Sequence, residues 1–203
     1  MAKKSLQSQI EELLNGRFCK EVNVHFTFNP GLITSQGTVT AINRYDGYSE
    51  EVKATLWFDN YSFFIKIVFM PDKRKSYKPY VSVSFFQETD MSVKQLFRAE
   101  LDSFPMIEGY NHPQPHWHLT AQLSDHNYGD LGKENEEEEG IFDKLAGNSK
   151  SINLDKMHFA QAGSWYCDGN MILDVNADTI ISWMIQLFIH VKEELKYKDQ
   201  FGS

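Results

Sequence analysis

The chain has 203 residues, 41% of them hydrophobic and 24% charged, and a formal net charge of −8. Fifteen Phe, nine Tyr and four Trp exclude a disordered chain, which lacks the apolar surface needed to offset ordering entropy. The acidic balance argues against generic nucleic-acid binding, which neutralises phosphates with Lys and Arg, and no run of about 18 uncharged apolar residues is available for a membrane span.

Met1-Ala-Lys-Lys-Ser5 leads into polar residues rather than an apolar signal core, so a cytoplasmic location is expected. Residues 5–15 then place Leu6, Ile10, Leu13 and Leu14 at helical spacing, with Gly16 as the predicted stop. Cys19 and the distant Cys167 are too few for a disulfide framework, and Cys167 stands next to Asp168, which disfavours a thiolate nucleophile. From Glu21 the period becomes two: Val22, Val24 and Phe26 alternate with polar residues until Asn29-Pro30-Gly31 turns the chain. A second strand over residues 39–44 meets Asp46-Gly47, a hairpin signal. Val52, Ala54, Leu56 and Phe58 predict a third strand, and Phe63, Ile65, Ile67 and Phe69 a fourth. The basic turn at residues 72–75 precedes a fifth through Val81, Val83 and Phe85.

After this meander the spacing of Val93, Leu96, Phe97 and Leu101 predicts a helix capped by Asp90 or Ser92. Residues 116–123 alternate as a sixth strand and residues 154–160 form another. Between them, the acidic segment 125–140 is expected to be a solvated loop, followed by a short helix over 141–145. Asp178 is the predicted cap of a long C-terminal helix ending near Lys198. Its apolar side chains, among them Trp183, Leu187, Phe188 and Ile189, cover most of its circumference. They predict either packing on the sheet and the N-terminal helix or an interface in a homodimer. The expected fold is α+β: an N-terminal helix, an antiparallel meander of about seven strands, and a long C-terminal helix on the sheet. Residues 1–203 are read as one domain, with a subdivision near Met91 as the alternative.

The chemistry concentrates in His112-Pro-Gln-Pro-His116-Trp117-His118. Side chains alternate along a strand, so His116, His118, Thr120 and Gln122 share one face, and Trp117, Leu119, Ala121 and Leu123 the other. The apolar set is expected to face the core and the histidines to face solvent or a cleft. The same division in the later strand puts His158 on its polar side. If the two strands pair, His116, His118 and His158 predict a zinc site with a fourth position for water. His112, Asp125 and His126 are further candidates, with Glu108 and Asp130 nearby.

His116-x-His118 with a later His resembles the ligand arrangement of the alpha-type carbonic anhydrases in those three residues. Gly109 before His116-Trp117-His118 resembles the first cupin motif, but Gln122 and Leu123 stand where that motif has a Glu. No phosphate-binding glycine loop, hydrolase elbow or HExxH motif is present. The sequence points first to a ligand- or protein-binding module with a histidine-bearing polar sheet face. The second reading is a zinc-dependent hydrolase or lyase using three histidines.

Overall fold

The structure, a computed structural model, describes residues 4–19, 24–29, 31–45, 47–71, 77–102, 115–119, 158–160 and 175–201. Its architecture is α+β, as expected: a helix, an antiparallel sheet and a second helix in chain order. Helix α1 (Leu6–Leu13) begins at Ser5, whose hydroxyl accepts from the Ser8 amide at 3.2 Å. It does not stop before Gly16 but widens into a π-helical turn, Leu14–Phe18, which buries both Leu14 and Phe18. Asn15 then clamps the backbone of Val24 from both sides, and Glu11 accepts from the Phe26 amide. These contacts fix the helix against the first strand.

Among the described residues nine strands follow: β1 (His25–Asn29), β2 (Leu32–Gln36), β3 (Val39–Tyr45), β4 (Tyr48–Phe58), β5 (Tyr61–Pro71), β6 (Tyr77–Glu88), β7 (Val93–Asp102), β8 (His116–Leu119) and β9 (His158–Ala160). The last helix is α2 (Ala177–Phe201). The main sheet runs β1-β2-β5-β6-β7-β8-β9, every pairing antiparallel. Strand β4 pairs with β5 only near its end, through Thr55, Leu56 and Phe58. Beyond that point β2 takes its place beside β5, and the β3–β4 hairpin continues with pairing of its own. Gly31 and Gly47 supply the positive φ that the β1–β2 and β3–β4 turns require.

Strand β2 has no counterpart among the strands expected from sequence. Its Ser35 is fully buried and accepts from the Ile65 amide at 2.9 Å, so a polar side chain occupies a core position. Strand β7 corrects the helix expected through Val93, Leu96, Phe97 and Leu101. The cause is a β-bulge: Phe85 pairs with Phe97 but Phe86 pairs with Gln95, leaving Leu96 as the extra residue. The bulge sets two apolar side chains next to each other and reverses the alternation, which imitates helical spacing. After it, Phe97, Ala99 and Leu101 lie on the face of Val81, Val83 and Phe85, while Arg98 and Glu100 lie on the other.

Both faces of the sheet are covered. On one, Phe63, Ile65, Ile67 and their neighbours pack against α1 and α2. Phe188 of α2 sits at the centre, its ring 4.9–5.6 Å from those of Phe63, Trp57, Phe18 and Phe85. Trp183, Leu187 and Phe188 are thus buried in the chain's own core, and Ile189 is partly buried against it. Helix α2 is capped by Asn176, not by Asp178; the Asn176 Oδ1 accepts from the amides of Asp178 at 2.9 Å and Thr179 at 3.1 Å. On the other face the β3–β4 hairpin builds a smaller cluster of Ala41, Val52 and Ala54 with Phe64 and Phe86. Among the described residues no helix is long and apolar enough to cross a membrane.

Candidate metal centre

The hairpin-covered face of the sheet is polar at its β7–β8 end. Register fixes two rows across the strands: Lys66, Ser82, Glu100 and His116 in one, Ser84, Arg98, His118 and His158 in the next. Arg98-x-Glu100 on β7 therefore stands directly against His116-x-His118 on β8. The opposite side of β8 carries Trp117, whose ring meets Phe97 at 5.0 Å, and Leu119, which is 41% exposed. The histidine side was expected to look toward solvent or a cleft and is instead buried: His116 is 0%, His118 4% and Glu100 5% exposed. A sheet face is solvated only if nothing packs on it, and neither β8 nor β7 reveals by itself that this one is covered.

Three ligand-type atoms converge there. His116 Nε2 and His118 Nε2 lie 3.1 and 3.0 Å from the same Glu100 oxygen, Oε2, and 2.9 Å from each other. Glu100 Oε1 is held separately, accepting from the Arg98 Nε and the Tyr80 hydroxyl. Two donors on one oxygen lock the carboxylate plane and aim the other oxygen at the imidazoles, as outer partners of metal ligands do. Burial by itself would raise the Glu100 pKa. Hydrogen bonds from His116 and His118 and the Arg98 charge outweigh it and hold the carboxyl well below the usual range.

The surrounding tyrosines are neutral donors. Burial, then the charge of Glu100, pushes the Tyr80 phenol far above its ordinary value; burial and Glu50 do the same at Tyr45. Tyr45 donates to Glu50 at 2.9 Å, and its ring lies 4.7 Å from the Arg98 guanidinium and 4.9 Å from the Lys66 ammonium. Arg98 also donates to the Arg44 carbonyl at 2.6 Å, tying the centre to the hairpin above it.

Of the three histidines expected to act together, the structure brings His116 and His118 into one cluster. The strand of His158 lies beside theirs, antiparallel as expected, with His158 opposite His118. The third group converging on the imidazoles is Glu100. Sequence reasoning misses it because the spacing around it predicts a helix, although the alternation Phe97, Ala99, Leu101 against Arg98, Glu100 is visible. His112, Asp125, His126, Glu108, Asp130 and Cys167 lie outside the described residues, as do the acidic segment 125–140 and the short helix expected over 141–145. Comparison with protein-family models, with curated proteins and with solved structures returned no match.

Proposed function

We propose that the chain is a metal-dependent protein whose working site is Glu100, His116 and His118, binding one divalent transition-metal ion. One observation carries this reading: two imidazole nitrogens and a carboxylate oxygen lie mutually 2.9–3.1 Å apart, all buried. Protons alone satisfy this triangle poorly. If both Nε2 atoms are protonated and donate to Glu100 Oε2, the two N–H groups crowd side by side, their nitrogens 2.9 Å apart with no bond between them. If one is not, its lone pair faces the lone pairs of Glu100 Oε2 at about the same distance. A single cation at the centre meets all three lone pairs at once. Among the described residues three ligands converge, and a centre with three protein ligands keeps a position for water or substrate, the pattern of catalytic rather than structural centres. A metal-bound water acidified by the ion suits hydrolase or lyase chemistry.

The test is metal analysis of tag-free, full-length protein, followed by titration of chelator-treated protein with divalent ions. One equivalent is expected. Binding should be lost in His118→Gln and weakened roughly tenfold in Tyr80→Phe, which removes only an outer partner of the carboxylate. A folded protein that binds no ion under these conditions would refute the reading.

The binding-module reading has one observation of its own, an apolar cavity of about 270 Å³ on the opposite side of β8. Phe97, Trp117, Leu119, Val191 and Leu195 line it, with His190 and Glu194 as its polar groups. A small apolar ligand retained by chelator-treated protein would belong to this cavity and not to the metal.

A further inference from the structure

We infer that the far end of the β3–β4 hairpin and the Glu100–His116–His118 cluster are one coupled unit, linked through Arg98. Weakening the Glu100 carboxylate loosens the hairpin at Arg44, and removing the Tyr45 ring loosens the hold on Glu100. The inference goes beyond the metal reading, and its test needs no ion.

The hairpin is anchored at one end. Among the described residues its backbone pairs with the main sheet only through Thr55, Leu56 and Phe58 of β4. Arg44 pairs with Ser49, six positions before Thr55, and so lies about 20 Å from that anchor. Between the two, Ala41, Val52 and Ala54 pack on Phe64 and Phe86. Further out, polar side chains of the sheet hold the hairpin. Ser84 donates to Asn43 at 2.7 Å and Lys66 to Glu50 at 2.9 Å. Arg98 and Gln95 both donate to the Arg44 carbonyl, at 2.6 and 3.3 Å. An end held in this way opens locally at lower cost than a packed core.

Arg98 belongs both to these contacts and to the centre. Its Nε donates to Glu100 Oε1 and its Nη1 to the Arg44 carbonyl, and the guanidinium lies 4.7 Å over the Tyr45 ring. The guanidinium is a rigid planar fork, so one donor cannot turn without moving the others. The bond to Glu100 therefore sets the plane that the Arg44 carbonyl and the Tyr45 ring meet. The other oxygen of the same carboxylate is the one that His116 and His118 approach, at 3.1 and 3.0 Å. An uncharged acceptor in place of the carboxylate keeps the Arg98 bond at about half its strength, and the plane is then fixed less firmly. Coupling of this kind is reciprocal: the Tyr45 ring, by holding the guanidinium, holds Glu100.

Hydrogen exchange followed by NMR on chelator-treated, full-length protein tests the link. Two amides give the comparison. The Arg44 N–H donates to Gln95 Oε1 at 2.6 Å near the far end, and the Gly37 N–H donates to the Lys53 carbonyl at 3.0 Å beside the anchor. In Glu100→Gln the Arg44 amide should exchange at least about fivefold faster. Its rate should not respond to low urea, the mark of local opening, and Gly37 should keep its parent rate. An unchanged Arg44 rate would overturn the inference, and so would equal acceleration of both amides, which means general loosening. The converse is read at the Arg98 Nε proton. Tyr45→Leu removes the ring and should speed exchange of that proton by a similar factor, whereas Tyr45→Phe keeps the ring and should stay below it. If Glu100→Gln does not fold, this pair decides alone: equal Nε exchange in the two Tyr45 variants would overturn the link.

Discussion

Replacing Glu100 by Gln tests the electrostatics of the centre apart from any metal. In chelator-treated protein the carbonyl of the introduced amide still accepts from Tyr80 and Arg98, so the shape of the site is kept. What disappears is the negative charge opposite a guanidinium that is 4% exposed. Removing one partner of a buried ion pair costs roughly 3–5 kcal/mol, and the surviving hydrogen bonds place this substitution at the low end, about 3 kcal/mol. The pH dependence follows from the depressed pKa of Glu100. A carboxyl whose folded pKa lies below its unfolded one stabilises the fold fully above the unfolded value, here 4.5, and loses that contribution as pH falls toward the folded value. The slope is about 1.4 kcal/mol per pH unit for one proton. The gap between the parent protein and Glu100→Gln should therefore narrow by about 2 kcal/mol between pH 7 and pH 3. Urea unfolding of both proteins at the two pH values measures it. A gap below about 1 kcal/mol at pH 7, less than the buried-pair range allows, would refute the reasoning, as would one that does not narrow in acid.

Phe188→Ala removes the ring shared by four aromatic neighbours on the opposite face of the sheet. A loss of about 3–5 kcal/mol is expected, or roughly 6–20 °C in melting temperature for a chain of this size, without loss of metal binding by the folded fraction. At Gly37 an added Cβ would overlap the Ala54 carbonyl and the Thr55 nitrogen, backbone atoms that no rotamer change can move aside. Gly37→Ala is expected to destabilise at the upper end of ordinary point mutations, about 3 kcal/mol or more. Calorimetry showing a shift under about 2 °C, less than 1 kcal/mol by the same scaling, would exclude the clash.

The strands that are legible from sequence are those whose alternation runs unbroken. In β5 and β6, Phe63, Ile65 and Ile67 and then Val81, Val83 and Phe85 keep one face apolar from end to end. The bulge at Leu96 conceals β7, and the buried Ser35 conceals β2, because each breaks the period locally for a reason that lies on another strand. At the candidate site, His116 and His118 stand out by their own spacing. Glu100 does not, because its role depends on cross-strand register, which one strand cannot encode alone. Arg98, which holds Glu100, is itself held by the Arg44 carbonyl and the Tyr45 ring, more than 50 positions earlier in the chain, and nothing in β7 or β8 announces them.

Gln95 has a consequence for how the protein behaves at high concentration. Its side-chain amide accepts from the Arg44 N–H at 2.6 Å and donates to the Arg44 carbonyl at 3.3 Å, the two bonds a neighbouring strand would make. Among the described residues, strand β3 pairs on one side only, with β4. An edge strand of this kind offers open backbone groups to any chain that meets it, and such edges seed aggregation unless something blocks them. Here the Gln95 amide, with Arg98 donating to the same carbonyl, occupies the pairing point at Arg44 near the end of the edge. The chain thus guards its hairpin against intermolecular strand addition with a side chain drawn from its own sheet.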